Sequence, residues 1–73
     1  MPPKLPSLKP KKVISALKRA GFKEVRSKGS HIHFKKENLL VTVPFHNRDL
    51  KKGTLKSILQ QAKLTEEQFL KYL

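Results

Sequence analysis

The sequence has no cysteine, no tryptophan and a single tyrosine, and only five of its 73 residues are acidic. Without cysteine there can be no disulfide framework, no thiolate metal site and no thiol nucleophile. That absence suits a reducing compartment, and the cytoplasm is the expected location. Long apolar runs are also missing. The longest nearly apolar stretch, Leu39 to Phe45, is far shorter than the roughly 20 residues a membrane-spanning helix needs. The opening MPPKLPSLKP has no apolar core of the signal-peptide kind, so none is expected. Ahead of the last helix the only carboxylates are Glu24, Glu37 and Asp49, too few to ligate the two metal ions of a metallonuclease. There is no Walker A loop, GxGxxG turn or carboxylate pair. Ser30 beside His31 does not make a Ser/His/acid triad, because adjacent strand residues point to opposite faces.

What the chain does have is positive charge. Seventeen Lys and Arg give a formal net charge of +12. Residues 1–53 hold 14 of the basic residues and 3 acidic ones, whereas residues 54–73 hold 3 and 2. Nucleic acid and an anionic membrane surface are the polyanionic partners that fit such an excess. The membrane reading is the weaker, since the first helix is short and there are no Trp anchors. The length allows one domain. A domain of this size buries only about 60% of its unfolded surface and is marginal alone. Its apolar residues, 37% of the chain, nevertheless fall in patterned blocks, which disordered basic chains lack.

Residues 1–9 read as a Pro-rich basic arm, and residues 10–73 as the folded domain. Pro10 pre-sets φ for a first helical turn. Val13, Ile14, Leu17 and Ala20 then recur at helical spacing, and Gly21 stops the helix, predicting one over 10–20. Phe22–Lys28 predicts a strand that ends at a Gly29-Ser30 turn. His31–Lys36 alternates: Ile32 and Phe34 face one way, His31, His33 and Lys35 the other. Glu37-Asn38 is a second turn. Leu39–Val43 forms a third strand, which Pro44 ends because it has no ladder N–H. A polar loop over 44–52 leads to a helix opened by Gly53-Thr54, with Leu55, Ile58, Leu59 and Ala62 on one stripe. Thr65-Glu66-Glu67-Gln68 is a capping-box pattern for a short last helix carrying Phe69, Leu70 and Leu73. The fold class is α+β: a two-layer sandwich in the order α-β-β-β-α, with a three-stranded antiparallel sheet and a short extra C-terminal helix.

The sharpest local pattern is Gly29-Ser30-His31-Ile32-His33-Phe34. A glycine turn delivers His31 to the start of a strand, close to Arg26 and Lys28. An imidazole titrates near neutrality and suits acid–base work. Gly29 permits close approach of a phosphate backbone, and the amides at Gly29 and Ser30 with Lys28 can hold phosphoryl oxygens. Arg26, Lys28, Gly29, Ser30, His33 and Lys35 are therefore the candidate substrate-binding residues around His31. The plain alternative is that His31 is an exposed strand residue with no role. His31, His33 and His46 could also be read as a three-His zinc set. No acidic residue adjoins any of them in sequence to act as a second partner, and no metal and no cofactor are expected. RNA cleavage without metal would use the RNA's own 2′-hydroxyl, with His31 moving the proton and Lys28 and the turn amides stabilising phosphate charge. One such residue supplies about 10²–10⁴-fold, predicting a slow enzyme that leaves DNA intact.

The ordered blocks Ala20-Gly21-Phe22, Gly29-Ser30-His31-Ile32-His33-Phe34, Val43-Pro44-Phe45-His46 and Gly53-Thr54-Leu55-Lys56-Ser57-Ile58-Leu59 resemble the HicA family of toxins from bacterial and archaeal toxin–antitoxin pairs. The resemblance covers roughly residues 10–70. It implies a fold like the double-stranded-RNA-binding domain and an mRNA interferase that blocks translation by cutting messenger RNA. It implies that His31 is the active histidine and that a HicB-like antitoxin covers it. Ile32 departs from the pattern, standing where a polar residue is often expected. A second reading is a non-catalytic double-stranded-RNA-binding domain, with Lys51 and Lys52 gripping phosphates. A third, a basic DNA-binding or ribosome-associated domain, lacks helix-turn-helix spacing. The sequence leaves the oligomeric state open.

Overall fold

A computed structural model describes residues 7–73. The order of elements is α1 (Pro10–Arg19), β1 (Lys23–Lys28), β2 (His31–Lys36), β3 (Leu39–Pro44), α2 (Lys52–Ala62) and α3 (Glu66–Lys71). The strands form one antiparallel sheet in the order β1-β2-β3. This is the α+β arrangement expected from the sequence, with small shifts at element ends. Of the 1–9 arm, residues 1–6 lie outside the described residues. Leu8 packs against the core, and its carbonyl accepts a hydrogen bond from the Leu50 N–H at 2.7 Å.

The core lies between the two helices and one sheet face. Val13, Ala16 and Leu17 of α1 meet Leu55, Ile58, Leu59 and Ala62 of α2 over Phe34, Val41 and Val43. Phe69 of α3 closes one end, and its position is set by the capping box read from the sequence. Thr65 Oγ1 accepts from the Gln68 N–H at 3.1 Å, and Gln68 Oε1 accepts from the Thr65 N–H at 3.0 Å. Arg19 Nη1 donates to the Tyr72 carbonyl at 3.1 Å, tying the end of α3 back to α1. Among the described residues no polar or charged side chain is buried.

Both long helices end in the same device. After α1, the Phe22 N–H bonds the Leu17 carbonyl and the Gly21 N–H bonds the Lys18 carbonyl, with Gly21 at φ +105°. This paired closure satisfies carbonyls that a helix end leaves free. It also turns Phe22 into the core, so β1 begins at Lys23, one residue later than the sequence pattern suggested. After α2, Leu64 N–H bonds the Leu59 carbonyl and Lys63 N–H bonds the Gln60 carbonyl. There the left-handed position, φ +58°, is held by Lys63 instead of glycine.

Two strands depart from regular geometry. Pro44 is the last residue of β3 and does not stop it. In the alternating antiparallel pattern the Phe45 N–H reaches the Ser30 carbonyl, so residue 44 occupies a position whose N–H would point out of the sheet. The ladder loses nothing there. The second difference is in β1, where a bulge between Glu24 and Arg26 leaves Val25 without a partner, 55% exposed.

The φ values give a paired stability prediction. Lys63→Gly should stabilise the fold by up to about 1 kcal/mol, since relief of a left-handed penalty of about 1–2 exceeds the added chain entropy. Gly21→Ala should destabilise by more than about 1 kcal/mol: φ is +105°, and a new Cβ would sit 3.2 Å from Lys36 Cε. Urea unfolding midpoints of the two variants, moving in opposite directions from the parent, are the check.

Candidate nucleic-acid interface and active site

The outward sheet face follows from strand periodicity and register. Phe34 is wholly buried, so its neighbours His33 and Lys35 must point away from the helices, and so must His31. Pairing then lays three rows across the sheet: Lys28–His31–Pro44, Arg26–His33–Thr42 and Lys23–Lys35–Leu40. Every ionisable group in those rows is basic or an imidazole.

The bulge in β1 produces that uniformity. Strict alternation through Lys23-Glu24-Val25-Arg26 would put Glu24 on the same face as Arg26 and Lys28. The extra residue at Val25 shifts the register, so Glu24 lies opposite buried Phe34 and Lys23 lies opposite Lys35. One acidic residue leaves the outer face and one lysine joins it. Lys23 thereby joins the outward rows, a placement regular alternation would not give, because a bulge has no reliable pattern of its own.

The structure brings Arg26, Lys28, Gly29, Ser30, His31, His33 and Lys35 together on two adjacent strands and the turn between them. Gly29, at φ +58°, turns the chain between β1 and β2, with open space where its Cβ would be. Ser30 follows it, and its carbonyl is held by the Phe45 N–H. This bond fixes the turn against the end of β3 and places His31 beside Lys28 and Pro44. His31 is exposed, whereas His33 is half-buried and its Nδ1 lies 2.9 Å from Thr42 Oγ1. Thr42 had no role in the sequence reading.

His46 is differently occupied. Its Nδ1 accepts a hydrogen bond from the Arg48 N–H at 3.1 Å, so the ring shapes the loop after β3. Among the described residues no three His, Cys, Asp or Glu side chains gather as a metal-binding group. No described helix is long and apolar enough to cross a membrane.

A second basic feature stands at the start of α2. Lys51 is the N-cap, Lys52 is the first residue, the cap has no side-chain hydrogen bond, and the first turn has no acidic residue. The helix therefore begins one residue before the Gly53-Thr54 start read from the sequence. A positive helix terminus flanked by lysines costs stability and favours anions.

The fold and this face together define a small α+β domain with an imidazole-bearing, cationic open sheet. A family model described as the HicA toxin of bacterial toxin–antitoxin systems matches residues 10–64. That span is well over half of the sequence, and the chain belongs to the HicA toxin family. A search among curated proteins gives no match. Membership makes the protein a toxin of a toxin–antitoxin pair and implies an antitoxin partner.

The charge arrangement predicts salt-dependent binding of a polyanionic strand. With a 2′-O-methyl RNA oligonucleotide, log K should fall against log salt by about 0.7 per phosphate engaged, and Arg26→Ala or Lys28→Ala should each flatten the slope by about that amount. Fluorescence anisotropy across a salt series measures it, and a flat slope for the parent protein would refute it. Lys51→Asp should stabilise the fold by about 1 kcal/mol through capping while weakening the same binding.

Proposed function

We propose that this toxin is an endoribonuclease acting on messenger RNA without a metal ion, with His31 as its acid–base residue. The observation that carries the reading is the position of His31: exposed at the mouth of a glycine turn, beside Lys28, on a face with no carboxylate. Two-metal hydrolysis would need several carboxylates, and Glu24, Glu37 and Asp49 are the only ones ahead of α3.

The chemistry that fits is transesterification by the RNA itself. His31 accepts the proton of a 2′-hydroxyl, and that oxygen attacks the adjacent phosphorus. The P–O5′ bond breaks and O5′ takes up a proton, so that none is gained or lost overall, giving a 2′,3′-cyclic phosphate and a 5′-hydroxyl end. Arg26, Lys28 and Lys35, with the Gly29 and Ser30 turn, bind the strand and offset charge on the phosphoryl oxygens. DNA has no 2′-hydroxyl and is inert in this scheme. Cutting messenger RNA would halt translation in the cytoplasm. A HicB-like antitoxin would silence the enzyme by covering His31, and interface complementarity calls for acidic residues on its contact surface.

The non-catalytic reading, a double-stranded-RNA-binding domain, draws on Lys51 and Lys52 at the start of α2. It does not use the turn that presents His31, and for that reason we favour the nuclease.

Purified protein should cleave single-stranded RNA in EDTA and leave the matching DNA intact. His31→Ala should lose about 10²–10⁴-fold in rate with unchanged RNA affinity. Growth arrest on expression should be lost with the same substitution. Equal cleavage by both proteins, or cleavage abolished by EDTA, would overturn the proposal.

A further inference from the structure

The contact between His33 and Thr42 has no use in a mechanism with one histidine. It arises from the sheet geometry. Thr42 turns its N–H away from β2, to Gln61 Oε1 of α2 at 3.0 Å. His33 and Thr42 therefore form a pair without ladder hydrogen bonds, the kind in which opposed side chains approach most closely. Gln61 is itself steadied by Ser57, its Nε2 lying 3.3 Å from Ser57 Oγ. The result is the 2.9 Å contact between Nδ1 and Oγ1. With Nδ1 engaged on the hydroxyl, Nε2 is the nitrogen left for a ligand.

His31 and His33 lie on one face of one strand, and two strand residues span about 7 Å. That separation is comparable with two groups, each at hydrogen-bond reach of about 3 Å, flanking the opposite oxygens of a single phosphorus. Beside each imidazole β1 supplies a cation: Lys28 next to His31, Arg26 next to His33. On the β3 side the pair is unequal, with Pro44 next to His31 and Thr42 next to His33.

Resting on the nuclease reading above, we infer that His33 is a second catalytic residue, the general acid, and that Thr42 is its positioning residue. His31 takes the 2′-hydroxyl proton as the O2′–P bond forms. His33 Nε2–H gives its proton to O5′ as the P–O5′ bond breaks. In this scheme Nδ1–H donates to Thr42 Oγ1 throughout, and the ring gives up only the Nε2 proton. Exchange with water returns a proton to His33 and removes one from His31. The step needs no other reactant.

The test compares two substrates: an RNA dinucleotide, and the corresponding nucleoside 3′-(p-nitrophenyl phosphate). The second has a leaving group that departs without protonation. His33→Ala should lose about 10²–10⁴-fold on the dinucleotide and little on the aryl ester, whereas His31→Ala should lose on both. Thr42→Val should show a weaker form of the His33→Ala pattern, and Thr42→Ser should restore parent behaviour. The pH profile of kcat/KM on the dinucleotide should lose its alkaline limb in His33→Ala, since a missing acid no longer has to be protonated. The charged or titratable groups around His33 on this face are Lys23, Arg26 and Lys28 of β1 and His31 and Lys35 of β2; β3 presents Leu40, Thr42 and Pro44.

Equal losses by His33→Ala on both substrates would make His33 a binding residue and overturn the inference. So would an unchanged alkaline limb. If His31→Ala alone abolishes dinucleotide cleavage and His33→Ala does not affect it, the nuclease stands and the acid assignment falls. If the parent protein cleaves neither substrate, both fall together. Circular dichroism melts of each variant separate these results from loss of fold.

Discussion

The burial of Phe34 governs the rest of the molecule. It sits at the middle of β2, wholly buried beneath α1 and α2, and its burial is worth about 1.5–3 kcal/mol. A one-residue slip in the pairing of β2 would put Phe34 in water and His33 in the core. The second consequence is the worse, because a buried imidazole would have to find partners among Val13, Leu17 and Ile58. The same force that builds the core therefore holds His31, His33 and Lys35 outside. Stability and site share a strand and are separated by its period of two.

The flanking strands complete the candidate site by departures from regularity. The bulge in β1 exchanges Glu24 for Lys23 on the open face. The edge of β3 meets α2 through Gln61, which takes up the Thr42 N–H and so helps to aim the Thr42 hydroxyl at His33. Edge strands commonly need such cover against pairing with other chains. Pro44 adds to it, since it presents no N–H at the edge beside His31. Among the described residues nothing covers β1 comparably: all six of its residues are exposed, and its charged side chains keep the edge hydrophilic.

Most of the architecture was legible because it rests on strong periodic signals. The stripe Val13, Leu17, Ala20 and the alternation Ile32, Phe34 each have one sensible burial solution. The capping box at Thr65 and the stop at Gly21 are local chemistry, and both formed as read. The misread points depend on register. Nothing in Lys23-Glu24-Val25-Arg26 announces the bulge that leaves Val25 exposed. Pro44 reads as a stop by its missing N–H, but whether that N–H is needed depends on which side of the strand faces β2. The grouping of Arg26, Lys28, Gly29, Ser30, His31, His33 and Lys35 was accessible because one turn and two adjacent strands hold them all. Thr42 was not, since its contact with His33 requires the β2–β3 pairing.

The basic surface also bears on how stable this domain can be. Lys11 and Lys12 follow Pro10 in the first turn of α1, and Lys51 and Lys52 open α2, so both long helices start with the charge sign that opposes their dipoles. Replacing a residue there by an acid is worth about 0.3–1 kcal/mol in ordinary helices. Only α3, which lies away from the cationic sheet rows in sequence, carries the favourable acids Glu66 and Glu67 in its first turn. A net charge of +12 on 73 residues adds self-repulsion to those local costs. Optimising the helix starts for stability alone would remove cations available to a phosphate backbone. Retaining them leaves a small domain whose self-repulsion a polyanion or an acidic protein surface lying against it would relieve. By mass action, binding to the folded state alone then stabilises the fold. Substrate and antitoxin would thus each favour the same compact structure, and the two would compete for the charge that makes it marginal.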